Sequence, residues 1–106
     1  EIIYAYSVLS HMIPADSAQY LREFARALMP GGRAFLTCFV EESVPDFSEN
    51  PTDYGAVKWK GRLHCARYKR SFFEGLVANS TLRVREFEYG RETDGQSLYV
   101  LENPRK

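Results

Sequence analysis

Residues 1–40 read EIIYAYSVLS HMIPADSAQY LREFARALMP GGRAFLTCFV, and the change of hydrophobic period within this stretch decides the fold. Ile2 to Ala5, closed by Tyr6, is apolar without alternating charge, the pattern of a strand covered on both faces in a mostly parallel sheet. Ser7 to Ala15 is a short connection. From Asp16 the apolar residues Ala18, Leu21, Phe24, Ala25 and Leu28 recur at helical spacing, with Gln19, Arg22, Glu23 and Arg26 between them. Pro14 precedes this helix, Asp16 or Ser17 is placed to cap it, and Pro30-Gly31-Gly32 ends it. Arg33 to Val40 is again continuous, apolar and β-branched, and predicts a second buried strand. A strand, a helix of about thirteen residues and a strand meet the length requirement of a right-handed parallel crossover, so residues 1–40 read as one βαβ unit.

Beyond it, residues 41–70 lose periodicity and separate their charges. Glu41, Glu42, Asp46, Glu49 and Asp53 come without a base; Lys58, Lys60, Arg62, Arg67, Lys69 and Arg70 come without an acid. This reads as a variable charged loop or lid, in which Ala56 to Trp59 and Leu63 to Tyr68 are candidate strand pieces. Ser71-Phe72-Phe73-Glu74 has capping-box spacing ahead of a short helix to about Asn79. Leu82 to Tyr89 and Ser97 to Leu101 then form an antiparallel hairpin across Gly90 to Gln96.

The whole chain has 106 residues, 14 basic and 14 acidic, with formal net charge zero. That length fits one domain, and the balance leaves no field of one sign to hold nucleic acid or an anionic membrane. The zero hides the local separation of charge within residues 41–70. No apolar run approaches the roughly 20 residues of a membrane helix, and the start has no signal-peptide pattern, so a soluble, cytoplasmic protein is expected. Cys38 and Cys65 are expected to be free, inert thiols. The chain starts directly in its first strand without an initiator Met, which suggests a piece of a longer protein.

In open α/β sheets ligands bind beyond the carboxyl ends of parallel strands, so a site is sought after Tyr6 and after Phe39. Tyr6, Ser7, Ser10, His11 and Met12 occupy the first of these ends. His11 titrates near neutral pH and could take a proton from a hydroxyl or amine; its plainer role is a helix-entry histidine bonded to backbone. Ser7 and Ser10 could equally satisfy local backbone groups. No glycine-rich phosphate loop is present, because Met29-Pro30-Gly31-Gly32 ends a helix and does not begin one. His11, Cys38, His64 and Cys65 lack metal-ligand spacing, so no metal is expected. The basic stretch Lys58 to Arg70 could clamp an acidic or nucleic acid ligand, but reads more simply as a solvated face pairing with the acids of residues 41–53.

The segment Ile2 to Met12, followed by Tyr20-Leu21-Arg22-Glu23-Phe24-Ala25-Arg26-Ala27-Leu28-Met29-Pro30-Gly31-Gly32-Arg33, resembles the second half of class I S-adenosylmethionine-dependent methyltransferases. Leu82 to Gly90 and Asp94 to Val100 look like the last two strands of that family. The resemblance implies a partial Rossmann-like α/β fold over residues 1–106, a mixed four-strand sheet of order 4-5-7-6 in the family's numbering. It divides into the βαβ unit (1–40), the charged loop (41–70) and a helix plus hairpin (71–106). It further implies a methyltransferase acting on a small molecule, with S-adenosylmethionine as cofactor, Tyr6, Ser7 and Ser10 lining the cofactor crevice and His11 orienting or deprotonating the acceptor. The family's glycine-rich turn and its ribose-binding acid belong to the first half and have no counterpart here. The fragment alone is therefore expected to be inactive. The strand Ile2 to Tyr6 would then expose an apolar edge, through which self-association is expected. The alternative reading is a non-enzymatic interaction module that pairs through this edge.

Overall fold

The computed structural model describes residues 2–5, 9, 12–49, 66–91 and 96–104. Its elements, in chain order, are β1 (Ile2–Ala5), α1 (Pro14–Ala27), β2 (Arg33–Glu41), β3 (Phe47–Glu49), β4 (Ala66–Lys69), α2 (Arg70–Asn79), β5 (Arg83–Glu88) and β6 (Ser97–Glu102). Six strands form one mixed sheet.

The βαβ unit forms as expected. β1 lies parallel to β2, with Ile2 opposite Arg33 and Ala5 opposite Leu36. Ser17, Leu21, Phe24 and Ala25 form the buried stripe of α1 and pack over the sheet. The predicted caps do not form. Ile13 is the N-cap residue with no side-chain hydrogen bond, and Pro14 opens the first turn, where its missing N–H costs nothing. Asp16 therefore falls within the first turn, and Ser17 faces inward. At the other end Gly31 has φ +83°, as the turn into β2 requires. A side chain at Gly32 would meet the Met29 carbonyl at 2.9 Å.

β2 is the central strand, and Ala34 and Leu36 to Val40 are all buried, so both of its faces are covered. β1 differs from expectation. Ile2 is 55 % and Tyr4 62 % exposed, and among the described residues β1 pairs only with β2. β6 runs antiparallel to β2 over Arg33 to Cys38, and β5 runs antiparallel to β6 with an irregularity at Val84/Glu86. The series β1-β2-β6-β5 is thus the expected four-strand order.

The segment read as a loop adds two strands to those four. β4 joins β2 in parallel at Phe39 to Glu41, beyond the last residue that β1 pairs, and β3 joins β4 antiparallel. The predicted strand piece ending at Tyr68 overlaps β4; the piece at Ala56 to Trp59 lies outside the described residues. β4 is held by Tyr68, which is fully buried among Phe47, Phe72 and Phe73. Its hydroxyl donates to the Met12 carbonyl at 2.7 Å, leaving Ser17 Oγ to donate to it at 2.7 Å. The Ser17 hydroxyl that sequence reading assigned to a helix end is thus spent on a strand contact.

α2 also lacks its expected capping box. Lys69 is the N-cap residue with no side-chain bond, and Glu74 accepts instead from Arg70 Nε at 2.8 Å and from the Tyr99 hydroxyl at 2.9 Å. The last described residues close back on the crossover. Buried Asn103 donates from Nδ2 to the Leu28 carbonyl at 2.8 Å, its N–H donates to the Gly32 carbonyl, and its carbonyl accepts from the Gly31 N–H.

Candidate functional site

The carboxyl end of β2 opens into a cleft of about 400 Å³. Three elements build it. Glu41 is the last residue of β2, and Glu42 to Val44 turn away from the sheet; Arg70 opens α2; Phe87 and Tyr89 stand at the end of β5. Parallel strand ends gather such residues because the chain must leave the sheet there, freeing side chains and backbone from the ladder.

One side of the cleft is an ion network around Arg70. Its Nη1 lies 3.2 Å from Glu42 and its Nε 2.8 Å from Glu74, while the guanidinium carbon stands 3.9 Å above the centre of the Phe87 ring. Arg70 therefore meets carboxylates in its plane and an aromatic face beneath, the geometry in which a guanidinium is most readily partly desolvated. The bond to Glu74 and the further contact with Glu42 hold its pKa above the ordinary value. The Glu42 pair joins one base of the 58–70 run to one acid of the 41–53 run, the pairing the charge pattern implied.

The other side is a phenol and a carboxylate. Tyr89, 63 % exposed, donates its hydroxyl to both oxygens of Glu41, at 2.8 and 2.6 Å. This bond raises the phenol's pKa, because ionising Tyr89 would set a second negative charge against Glu41.

The residues singled out from the sequence, Tyr6, Ser7, Ser10 and His11, lie outside the described residues, as do His64 and Cys65. The described positions of that connection have structural roles: Leu9 is fully buried, and the Met12 carbonyl receives Tyr68. Cys38 is buried, and burial pushes its thiol up, so it stays protonated. Sequence reading pointed to the strand end after Phe39 but named no residue there. Glu41 and Glu42 were visible as acids following a buried strand. Tyr89 and Phe87 come from another strand nearly fifty positions on, and nothing local marks their convergence.

No protein-family model matches the chain. Solved structures do match. A structure from Methanosarcina mazei described as SAM-dependent methyltransferases superimposes with a TM-score of 0.70 at 10 % identity, over 99 % of this chain and 59 % of that one. TnmH matches with a TM-score of 0.64 at 22 % identity, over 96 % of this chain and 30 % of that one. A candidate O-methyltransferase from Nostoc punctiforme matches with a TM-score of 0.60 at 19 % identity, over 95 % of this chain and 31 % of that one. The fold is accordingly that of part of a class I S-adenosylmethionine-dependent methyltransferase, and the chain spans from about a third to three fifths of the length of these neighbours.

S-adenosylmethionine is the group this fold implies. Among the described glycines, Gly31 and Gly32 lead into β2, Gly75 lies within α2 and Gly90 follows β5, so none of these four stands in a turn from a strand into a helix. The described cleft lies at the end of β2, with carboxylates and aromatic rings as its lining.

Proposed function

We propose that this chain is the carboxyl-terminal half of a class I S-adenosylmethionine-dependent methyltransferase domain that methylates a small molecule in the cytoplasm. The observation that carries this reading is the order of strand pairing. A parallel β1-α1-β2 unit is followed by an antiparallel hairpin that puts β6, and not β5, against β2. That inversion at the sheet's end is the order the sequence resemblance implied, and the neighbours that share the fold include methyltransferases. In this reading Tyr6, Ser7 and Ser10 line the cofactor side of the crevice, and His11 orients the acceptor or takes its proton. Methyl transfer is a displacement at a sulfonium carbon, so the protein's work is alignment and exclusion of water, with a base required only for an acceptor that starts protonated.

Among the described residues no glycine stands in a turn from a strand into a helix, and the isolated chain is therefore proposed to be inactive and to bind the cofactor weakly. Calorimetry of this chain with S-adenosylmethionine, or with its demethylated product, is expected to show no micromolar binding; micromolar binding would overturn the assignment of the main contacts to another segment. In the full protein, His11→Ala is expected to lower kcat for methyl transfer by about 10²-fold while leaving cofactor affinity unchanged. An unaltered kcat removes His11 from the site.

A second reading has its own observation. Ile2 and Tyr4 expose apolar surface on β1, a strand with one described partner, which favours an interaction module that pairs through this edge.

A further inference from the structure

The two sides of the cleft have the same chemistry and differ in one respect. On the first, a cation, Arg70, is held by Glu42 and Glu74 over the face of Phe87. On the second, Glu41 and the ring of Tyr89 offer a carboxylate beside an aromatic surface, and among the described residues no cation pairs with Glu41. Arg70 is neutralised by Glu42 and Glu74, whereas Glu41 is bonded to Tyr89, so the two carboxylates that line the cleft, Glu41 and Glu42, exceed its one lining cation by one charge. A carboxylate at the mouth of a partly apolar cleft attracts positive charge more strongly than one in open solvent, because the low-dielectric walls screen it less. The Tyr89 hydroxyl uses its single proton on Glu41, so it adds no donor for an anionic ligand. Val44 and Phe87 supply apolar lining, and about 400 Å³ is at the lower end of the range for small-molecule sites.

We propose that this cleft binds a small molecule carrying a protonated amine on an aromatic or apolar body, its ammonium group at Glu41 and its body against Tyr89 and Val44. Arg70 is the internal precedent: it shows that the cleft already stabilises a cation between carboxylates and a ring. The inference concerns binding and holds whether or not the protein transfers methyl groups.

Three probes of one shape and different charge test it in the full protein: phenethylamine, 2-phenylethanol and phenylacetate, followed by calorimetry without cofactor. Phenethylamine is expected to bind at least about 10-fold more tightly than the alcohol, the ratio a single ion pair in a partly buried site provides, and phenylacetate not at all. Glu41→Gln is expected to reduce phenethylamine affinity to that of the alcohol, with circular dichroism checking that the variant is folded. Tyr89→Phe, which frees Glu41 from its phenol, is expected to retain the preference for the amine. Equal affinity for amine and alcohol, amine binding insensitive to Glu41→Gln, or no amine binding at millimolar concentration overturns the proposal. Because no methyl donor is present, a failed methyl-transfer assay leaves this result unaffected, and a failed binding result leaves the methyltransferase reading to its own test.

Discussion

The Tyr68 hydroxyl joins segments 51 and 56 positions apart, at Ser17 and Met12. Removing it by Tyr68→Phe leaves the Met12 carbonyl and the Ser17 hydroxyl short of a partner beside a packed aromatic cluster, and is expected to cost about 1–3 kcal/mol in urea unfolding. The same group shapes the alkaline limb of stability. Burial, the first cause, raises the Tyr68 phenol from 10.0 to about 12, so the folded state holds this proton more tightly than the unfolded chain. Its contribution is fully present below pH 10 and is lost as pH rises through about 12. Tyr99, also raised by burial, acts in the same direction, so Tyr68→Phe is expected to make the alkaline loss shallower without abolishing it. Thr81 presents the opposite case: a β-branched residue at φ +74°, just after α2. Thr81→Gly relieves a cost of about 1–2 kcal/mol and gives back part of it as unfolded-chain entropy, so a net gain of about 0.5–1 kcal/mol is expected in the denaturation midpoint. A loss would show that the threonine side chain contributes more than its backbone costs.

At the scale of elements, what could be read from sequence and what could not divides along the distance between partners. The βαβ unit was legible because hydrophobic period is a local property: Ile2 to Ala5 and Arg33 to Val40 are continuous runs, and Leu21, Phe24, Ala25 and Leu28 repeat at helical spacing. The caps were misread because their side chains had better partners far away. Ser17 serves Tyr68, and Glu74 serves Arg70 and Tyr99. β4 was only partly visible, since a short strand with charged residues is defined by the neighbour it pairs with more than by its own pattern. The candidate cleft was legible as a place, the carboxyl end of β2, but its aromatic side comes from β5 and no spacing rule links the two. Glu74 offers a test at this scale because it fastens α2 to β6. Glu74→Ala leaves the buried Tyr99 hydroxyl without its acceptor and is expected to lower stability by about 1–3 kcal/mol; adding Tyr99→Phe should recover part of that loss. Strict additivity of the two substitutions would show that the bond contributes nothing.

For the molecule as a whole, the chain matches its structural neighbours along nearly all of its own length and only part of theirs. Among the described residues, no helix is long and apolar enough to cross a membrane. Ile2 and Tyr4 leave apolar surface exposed on β1. Light scattering of this chain over a range of concentrations is expected to show reversible association, and Tyr4→Lys, which places a charge on that surface, is expected to weaken it. A monodisperse monomer at all concentrations would remove self-association.

The clasp made by Asn103 has a consequence in time. The turn between α1 and β2 is closed by three hydrogen bonds to one residue, 75 positions beyond Leu28. A crossover whose turn is completed from so far along the chain cannot be finished as it leaves the ribosome. The βαβ unit, although local in pattern, must wait for β6 to be synthesised and docked, so its last step of folding is non-local and follows the slow kinetics of high contact order.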